Sequence, residues 1–272
     1  AALMDRYQLE VLPGKAEKTQ AEQLRQMSTL KAVFGHMDPE DIRQSHAYEY
    51  LTKRSQKAPT AARREIELLS HVCTMAAAWG AMPSNPLLGM RKPRNAPRRR
   101  YVTDEEYTHV WTLASPMVRC VMDLALLTSL RRGDVFRLER RDMKEEGILV
   151  RPSKTENSTG VEILIEWSPS LREVVDEALS LPPRFRQSIV CNRKGKPYTK
   201  NGFDSVWNRL MKKATDQSAD SFIERFEFRE LRRKSATDEE DELVAQKRLG
   251  HATPDITNRV YRIKPTRVRP LK

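Results

Sequence analysis

Six residues of the chain have side chains that could bind an anion, transfer a proton or attack an electrophile: Arg131, Lys154, Arg229, Arg232, His251 and Tyr261. Arginine can bind two oxygens of a phosphate at once, lysine and histidine can donate protons, and a tyrosine hydroxyl can act as a nucleophile. Taken singly, each also has an ordinary interpretation, as a surface arginine, a turn lysine, a capping histidine or a core tyrosine. Their significance depends on the elements that hold them.

Short-range patterns predict the elements that carry the three arginines. Residues 117–130 (MVRCVMDLALLTSL) are apolar on nearly every side, which predicts a central buried helix leading directly to Arg131. Arg229 and Arg232 lie three residues apart in the amphipathic segment 226–237. Residues at this spacing are neighbours on a helix surface, so we expect these two arginines to share one face.

Lys154 lies between two clear strand signals. The β-rich runs 147–151 (GILVR) and 161–167 (VEILIEW) predict an antiparallel hairpin whose tip is formed by residues 152–160. This arrangement places the lysine in the connection between the two strands.

His251 and Tyr261 follow signals for helix ends and starts. The acidic run 238–242 (DEEDE) suits the start of a helix, where the macrodipole favours carboxylates, and Gly250 suits its end. Thr253 is followed by a proline, a pair typical of a helix start, which predicts a short helix carrying Tyr261.

The N-terminal third has helical periodicity and no strand pattern. One helix is expected after a cap at Thr19 and ends at Gly35. Its buried stripe is predicted to comprise Leu24, Met27, Leu30 and Phe34. A second long helix is expected between Thr60 and Gly80, and residues 39–53 predict a shorter helix between the two.

These patterns predict a mainly α-helical protein with a small antiparallel β-sheet, which is an α+β fold class. We expect residues 1–92 to form a helical domain, residues 93–100 a basic linker, and residues 101–272 a mixed domain that contains all six residues. Further helices of the mixed domain are expected around residues 170–179 and 202–214.

The composition argues against several classes of protein. No apolar run approaches the roughly 18 residues of a membrane span, and Asp5 and Arg6 interrupt the apolar start where a signal peptide would continue. A first residue of Ala1 is compatible with a preceding module. Three scattered cysteines predict buried thiols in a reducing cytosol rather than a disulfide framework; they are Cys73, Cys120 and Cys191. The five histidines lack metal-ligand spacing, so no metal site is expected.

A basic excess favours a nucleic-acid partner, because Lys and Arg displace condensed counterions from phosphates. The chain has 49 Lys and Arg against 37 Asp and Glu, a net charge of +12. Residues 91–100 (RKPRNAPRRR) contain no acid, which favours an extended linker crossing a polyanion, with a solvated hinge as the alternative. The candidate DNA-binding residues are Lys53, Arg54, Lys57, Arg63, Arg64, Arg91, Lys92, Arg94, Arg98, Arg99 and Arg100. For the first five of these, a solvated helix face is an equally open interpretation.

Five motifs together resemble the tyrosine recombinases, the phage integrase family. They are LALLTSLRRGD at 124–134, SKTENSTG at 153–160, FRELRRKSAT at 228–237, Leu249-Gly250-His251, and Tyr261 ten residues after that histidine. The family pattern has the same order: an arginine after a buried helix, a hairpin lysine, a His-x-x-Arg pair, a Gly-His box and a terminal tyrosine. The resemblance covers residues 101–272 strongly and the helical N-terminal part more loosely.

The resemblance implies a site-specific recombinase or integrase with an active site made of the six residues. Tyr261 would be the nucleophile that attacks a DNA phosphorus and leaves a 3′-phosphotyrosyl linkage. Arg131 and Arg232 would bind the phosphate oxygens, with further hydrogen bonds from Arg229 and His251. Lys154 would protonate the departing 5′ oxygen. Asp134 is expected to support the site, either by orienting Arg131 or by capping the next helix.

The resemblance also implies the partners and the setting. The expected partners are double-stranded DNA attachment sites, a tetramer of this chain on two DNA duplexes that assembles from monomers, and an accessory DNA-bending protein. No metal, nucleotide or other cofactor is implied. The two domains would form a C-shaped clamp around DNA in the cytoplasm of a bacterial host, at the nucleoid, for integration or excision of a phage or mobile element.

Arg229 departs from the family pattern, which usually has histidine at this position. An arginine stays protonated and cannot act as a base, although it can still donate to a phosphate. The departure leaves open a DNA-binding protein with impaired catalysis. A type IB topoisomerase with similar chemistry and an RNA-binding basic protein are further alternatives, although no aromatic-rich strand supports the latter.

Overall fold

The computed structural model describes residues 1–92, 98, 100–153, 160–217, 223–250, 253, 257 and 261. The chain divides into two compact units, Ala1–Pro97 and Arg98–Lys272, and each has its own hydrophobic core. Helices predominate in both units, and the second contains a two-stranded antiparallel sheet, so the predicted α+β fold class is confirmed. Among the described residues, no helix combines the length and apolarity needed to cross a membrane.

The described part of the first unit is helical throughout. Its helices are α1 (Ala2–Glu10), α2 (Glu17–Phe34), α3 (Gln44–Ser55) and α4 (Pro59–Ala78), with 3-10 turns at Leu12–Gly14 and Pro39–Asp41. Helix α4 begins at Pro59, a position where the missing N–H is not needed. The core of the unit forms where one face of α4 packs against α2 and α3.

Three details of the first unit differ from the sequence-based expectations. Helix α1 was not predicted, and residues 39–53 form a 3-10 turn followed by α3 rather than one helix. The prediction that Leu24 is buried is wrong, because its side chain is 40% exposed. Each helical residue advances about 100°, so Leu24 is displaced by about 60° from Met27 and about 120° from Leu30 and falls outside the buried stripe.

The second unit begins with helices that pack around a central one. They are α5 (Asp104–Leu113), α6 (Pro116–Thr128) and α7 (Arg132–Arg137). Helix α5 is capped by reciprocal hydrogen bonds between Thr103 and Glu106. Helix α6 carries the buried apolar run and ends at Ser129, whose φ of 53° places it in the left-handed region. This sharp ending turns the chain from the buried helix toward Arg131.

The predicted hairpin is present and shorter than expected. Strand β1 (Gly147–Val150) pairs antiparallel with β2 (Ile163–Glu166). Pairing ends before Pro152, which has no N–H for a ladder. Lys154 lies outside the described residues. Helices α8 (Pro169–Ser180) and α9 (Lys200–Asp216) follow and confirm the two predicted helices of this region.

Two further helices complete the described part of the second unit, α10 (Arg229–Asp238) and α11 (Glu242–Leu249). Helix α11 confirms that the acidic run marks a helix start, because the Asp241 carboxylate accepts the N–H groups of Leu243 and Val244. It ends at Gly250, whose φ of 63° is left-handed. The three cysteines are free and buried, as expected.

Candidate active site

Arg232 is a buried cation whose hydrogen bonds connect three elements. It lies one turn into α10 and is 5% exposed. Its guanidinium donates to the backbone carbonyl of Ser129, at the end of α6, and to that of Leu249, at the end of α11, the latter at 2.7 Å. Its Nε has no hydrogen-bond partner within the described part of the chain. One buried donor of the guanidinium is therefore unsatisfied by the described residues.

Burial and neighbouring charges set the electrostatics of Arg232. Burial lowers its pKa to about 10, and the positive charge of Arg131 contributes to the decrease. Tyr261 and Asp134 act in the opposite direction and favour the charged guanidinium. The guanidinium is still cationic at neutral pH, and it is close enough to these three side chains to interact with each of them.

Tyr261 lies against the same guanidinium. The Cζ atom of Arg232 is 5.4 Å from the centre of the tyrosine ring, within cation–π range. The backbone carbonyl of Tyr261 accepts a hydrogen bond from Oγ1 of Thr237 at 2.7 Å. Helix α10 therefore contacts both the side chain and the backbone of the predicted nucleophile.

Arg131 reaches the site because of the turn that ends α6. It is the N-cap residue of α7 and is half-buried. Ser129 stabilises the turn, since its Oγ lies 2.5 Å from Oγ of Ser235 on α10. The turn brings Arg131 close to Arg232, as the effect on the Arg232 pKa indicates.

Asp134 connects α7 to the start of the hairpin tip. Its Oδ1 accepts from the backbone N–H of Ser153 at 3.0 Å and from Oγ of Ser153 at 2.7 Å. Ser153 immediately precedes Lys154 in the chain. The carboxylate thus holds the residue next to the predicted general acid, a contact that neither of the two expected roles of Asp134 included.

Arg229 is placed differently from Arg232. Its side chain is 67% exposed, and its Nε lies 2.6 Å from the Glu227 carboxylate. The structure therefore brings together Arg131, Arg232, Tyr261 and Asp134, whereas Arg229 pairs with a neighbouring acid at the surface. His251 lies outside the described residues. Gly250, directly before it, has a left-handed φ of 63°, which favours glycine at this position.

Four of the seven described candidate DNA-binding cations of the first unit form ion pairs within the unit. Lys53 pairs with Glu49, Arg54 with Glu65, Arg63 with Glu67 and Arg64 with Glu22. Arg54 faces a buried carboxylate, and the other three pairs are exposed. Lys57 and Arg91 are exposed, and Lys92 is half-buried.

The linker cations that are described contact acids of the second unit. Arg100 is buried and pairs with Glu106, and Arg98 lies 3.3 Å from the buried Glu230. Arg100 is thus enclosed by the second unit, whereas the side chain of Arg98 is 38% exposed beside its acidic partners. Arg94 and Arg99 lie outside the described residues.

Sequence reasoning did not find the groups that hold Arg232 and Tyr261 in place. These are the carbonyls of Ser129 and Leu249 and the hydroxyls of Ser235 and Thr237. Backbone carbonyls carry no sequence signal, and nothing in the order of residues marks a non-glycine left-handed turn. Over the described ranges, no group of His, Cys, Asp or Glu side chains is arranged to hold a metal ion.

Comparisons with known proteins give one consistent family. The sequence model of the phage integrase family matches residues 102–266. The integrase of Escherichia phage HK022 is 32% identical over 83 residues, which are 29% of this chain and 23% of that protein. The integrase of Enterobacteria phage 434 is 27% identical over 265 residues, which are 91% of this chain and 71% of that protein.

Lambda integrase has a similar fold. A dimer of it bound to a COC′ core site matches with a TM-score of 0.82 at 22% identity, over 100% of this chain and 98% of that one. A lambda integrase tetramer bound to a Holliday junction matches with a TM-score of 0.81, also at 22% identity, over 100% and 79% of the two chains. At this identity the likeness is one of fold.

Proposed function

The chain belongs to the phage integrase family, and we propose that it is a site-specific DNA recombinase that cleaves and rejoins DNA through a 3′-phosphotyrosyl intermediate. Its substrates would be attachment sites at which a phage or mobile element is integrated or excised. The reaction would take place in the cytoplasm of a bacterial host, on DNA of the nucleoid.

One observation carries the proposal. The buried Arg232 guanidinium contacts the Tyr261 ring and keeps one unpartnered donor among the described residues. Its charge is repelled by Arg131 and stabilised by Tyr261. A phosphate between the two arginines would relieve that repulsion and accept a hydrogen bond from Nε of Arg232. It would also lie next to the Tyr261 hydroxyl. A packing role for Arg232 would require no second arginine nearby.

The residues have complementary roles in the proposed reaction. The Tyr261 hydroxyl gives its proton to water, and its oxygen forms a bond to phosphorus while the bond from phosphorus to the 5′ oxygen breaks. Arg131 and Arg232 stabilise the negative charge that grows on the non-bridging oxygens. Lys154 supplies the proton that the departing 5′ oxygen needs, and Asp134 holds the start of the loop that carries this lysine. His251 donates a further hydrogen bond to the phosphate.

Rejoining is the reverse of cleavage. The phosphotyrosine ester keeps the energy of the broken bond, so a 5′ hydroxyl of the same or another DNA end can attack it and release Tyr261. Because one phosphate ester is exchanged for another, the proposed reaction needs no nucleotide or metal as a co-reactant. Exchange between two duplexes calls for several copies of the chain, and the lambda integrase tetramer on a Holliday junction supports a tetramer here.

Both units are proposed to contact DNA. Lys57 and Arg91 are exposed cations of the first unit and suit phosphate contacts. Arg63 and Arg64 form exposed ion pairs that a phosphate could replace at little cost. A clamp around the duplex, with an accessory protein that bends the DNA, remains the assembly we propose.

A covalent trapping experiment tests the function. The protein is incubated in EDTA with a nicked duplex that carries its attachment site, mapped beforehand by footprinting. We expect a protein–DNA adduct that resists denaturation and that Tyr261→Phe abolishes while binding persists. A wild-type protein that binds the site and forms no adduct would contradict the proposal.

A second candidate function rests on Arg229. The exposed arginine, paired with Glu227 where the family has histidine, favours a DNA-binding protein with impaired catalysis. The same experiment separates the two, since such a protein would protect its site from footprinting reagents and remain unlinked to it.

A further inference from the structure

Helix α10 has a charged stripe on one side and its catalytic contacts on another. Glu230, Lys234 and Asp238 are spaced four residues apart, so they lie on one face of the helix. All three contact the stretch of chain at which the second unit begins, which we call the lead-in segment (Arg98 and residues 100–104).

The first contact is between Glu230 and Arg98. Glu230 is completely buried, and its Oε1 lies 3.3 Å from Nε of Arg98 and 3.9 Å from Nη1 of Arg233. Arg233 also donates to the Arg98 carbonyl, and Arg98 donates to the Arg225 carbonyl at 2.6 Å. The backbone and the side chain of Arg98 are therefore both held at the start of α10.

Arg100, the next described residue of the lead-in segment, is also held by acidic and backbone partners. It is buried and pairs with Glu106, and its Nε lies 3.3 Å from the Glu224 carboxylate. It also donates to the Glu224 carbonyl at 2.6 Å. The lead-in segment therefore contacts Glu224, which precedes α10 in the chain, as well as α10 itself.

Lys234 makes the second contact along the stripe. Its side chain is 2% exposed, and its Nζ binds the carboxylates of Asp104 and Asp238 and the Tyr101 hydroxyl, the last at 3.2 Å. Tyr101 donates in turn to Asp238 at 2.5 Å. Burial alone would lower the pKa of Lys234, but its hydrogen bonds to these partners raise it instead. The ammonium is thus firmly charged and ties α10 to the first turn of α5.

The remaining faces of α10 hold the active site. Arg232 donates to the carbonyls of Ser129 and Leu249, and Thr237 donates to the carbonyl of Tyr261. A displacement of α10 would therefore shift Arg232 and disturb the contacts that the helix makes with Tyr261.

We propose that the lead-in segment is a positioning element for catalysis, with Glu230 and Lys234 as positioning residues that act through α10. The inference rests on the proposed function. Ion pairs that join one buried and one exposed group contribute little net stability, because desolvation and solvent screening offset most of their attraction. The hydrogen bonds of Lys234 and Arg233 to the lead-in segment instead restrict the placement of α10. Cleavage is sensitive to shifts of about 1 Å. The state of the lead-in segment would then control the geometry of Arg232 and Tyr261.

The test compares two matched glutamates in the full-length chain. The Glu230 carboxylate accepts a hydrogen bond from the backbone N–H of Glu227 at 2.8 Å. Glu230→Gln removes the negative charge but keeps the shape of the side chain and an oxygen that can accept this bond. Glu65→Gln makes the same change in the first unit, where a buried carboxylate also faces a partly exposed arginine, Arg54. The measurements are the single-turnover rate of adduct formation at saturating DNA, the DNA affinity and the melting temperature.

We expect Glu230→Gln to slow adduct formation by about 10- to 100-fold with unchanged DNA affinity. Glu65→Gln should lower the melting temperature to a similar extent and leave the rate unchanged. If both variants slow cleavage equally, the effect is one of stability and the proposal is overturned. A Glu230→Gln rate equal to the wild type overturns it too, while a wild type that forms no adduct removes the proposed function and this inference together.

Substitutions of Arg98 test the contact with Glu230 independently, from the side of its partner. Arg98→Lys keeps a cation near Glu230 and should retain most of the rate of adduct formation. Arg98→Gln removes the cation and should slow adduct formation as much as Glu230→Gln does. A loss of DNA affinity in Arg98→Gln with an unchanged cleavage rate would assign this arginine to DNA binding and overturn the positioning role.

Discussion

The guanidinium of Arg232 lies 5.4 Å from the centre of the Tyr261 ring, and the helix that carries it also binds the tyrosine backbone through Thr237. The proposed phosphate-binding group and the proposed nucleophile are therefore placed relative to one helix rather than to two independent elements. This arrangement fixes where a phosphate must lie to meet both groups.

Removing the Arg232 guanidinium should have the largest effect on chemistry. We expect Arg232→Ala to lower the single-turnover cleavage rate by at least about 10²- to 10³-fold, because a charge-stabilising donor is lost where negative charge develops. Arg232→Lys should also be slow, since an ammonium cannot reproduce two separate donors in one plane. The rate is measured by adduct formation on a nicked site.

The same substitutions should reduce stability, because the carbonyls of Ser129 and Leu249 lose their donor. Each unsatisfied buried group costs about 1–3 kcal/mol. Cleavage is therefore compared well below the melting temperature of each variant. A normal rate in Arg232→Ala would exclude this residue from the site.

Arg229 offers a gain-of-function prediction. An arginine cannot accept the phenol proton, so Arg229→His should increase the cleavage rate near pH 8, by about 10- to 100-fold if it restores a general base. Arg229→Gln, which removes the charge and adds no base, is the matched control. Equal rates in the histidine, glutamine and wild-type proteins would mean that position 229 takes no part in proton transfer.

The left-handed turn at Ser129 gives a prediction about stability. A side chain with φ near 53° is strained, so Ser129→Gly should be more stable than Ser129→Ala by about 1 kcal/mol, although both lose the bond to Ser235. A difference of this size corresponds to about 2–4 °C in melting temperature. If alanine is tolerated as well as glycine, the turn is not left-handed in solution.

Elements with strong local signals could be predicted from the sequence. The apolar run of α6, the β-rich strands and the Asp241 cap of α11 each depend on neighbours within a few residues, and each is present. The pairing of Arg232 with Tyr261 could be expected only through the resemblance, because composition and periodicity do not report contacts between distant segments.

The linker shows why the rest could not be predicted. The run that contains Arg98 and Arg100 has no acid of its own, which favoured contact with a polyanion. Its acidic partners Glu224 and Glu230 follow more than a hundred residues later, so only the fold brings them together. Nor does the position of Glu230 between Arg229 and Arg232 indicate that it is fully buried.

These contacts predict different salt responses for two cations of the chain. An exposed lysine on a phosphate releases about 0.9 counterion on B-DNA, so Lys57→Gln should reduce the log-log slope of affinity against salt by about 1. Arg100→Gln should leave the slope unchanged, because Arg100 is buried against Glu106. The slopes are measured by fluorescence anisotropy on one attachment-site duplex. Equal slopes for Lys57→Gln and the wild type would remove Lys57 from the DNA contacts.

His71 predicts a pH dependence of the first unit. Its Nδ1 lies 2.8 Å from the hydroxyl of the buried Tyr7, and burial lowers its pKa below the usual 6.5, assisted by the charge of Lys15. The unfolded chain then binds a proton at a higher pH than the folded one. Stability should be complete above pH 6.5 and fall as the pH drops toward the folded pKa, so that stability has a positive slope against pH in this range. His71→Gln keeps an acceptor and should remove this slope in denaturant unfolding at pH 7.5, 6.5 and 5.5. A His71 imidazole that titrates above 6.5 by NMR would reverse the sign and contradict the prediction.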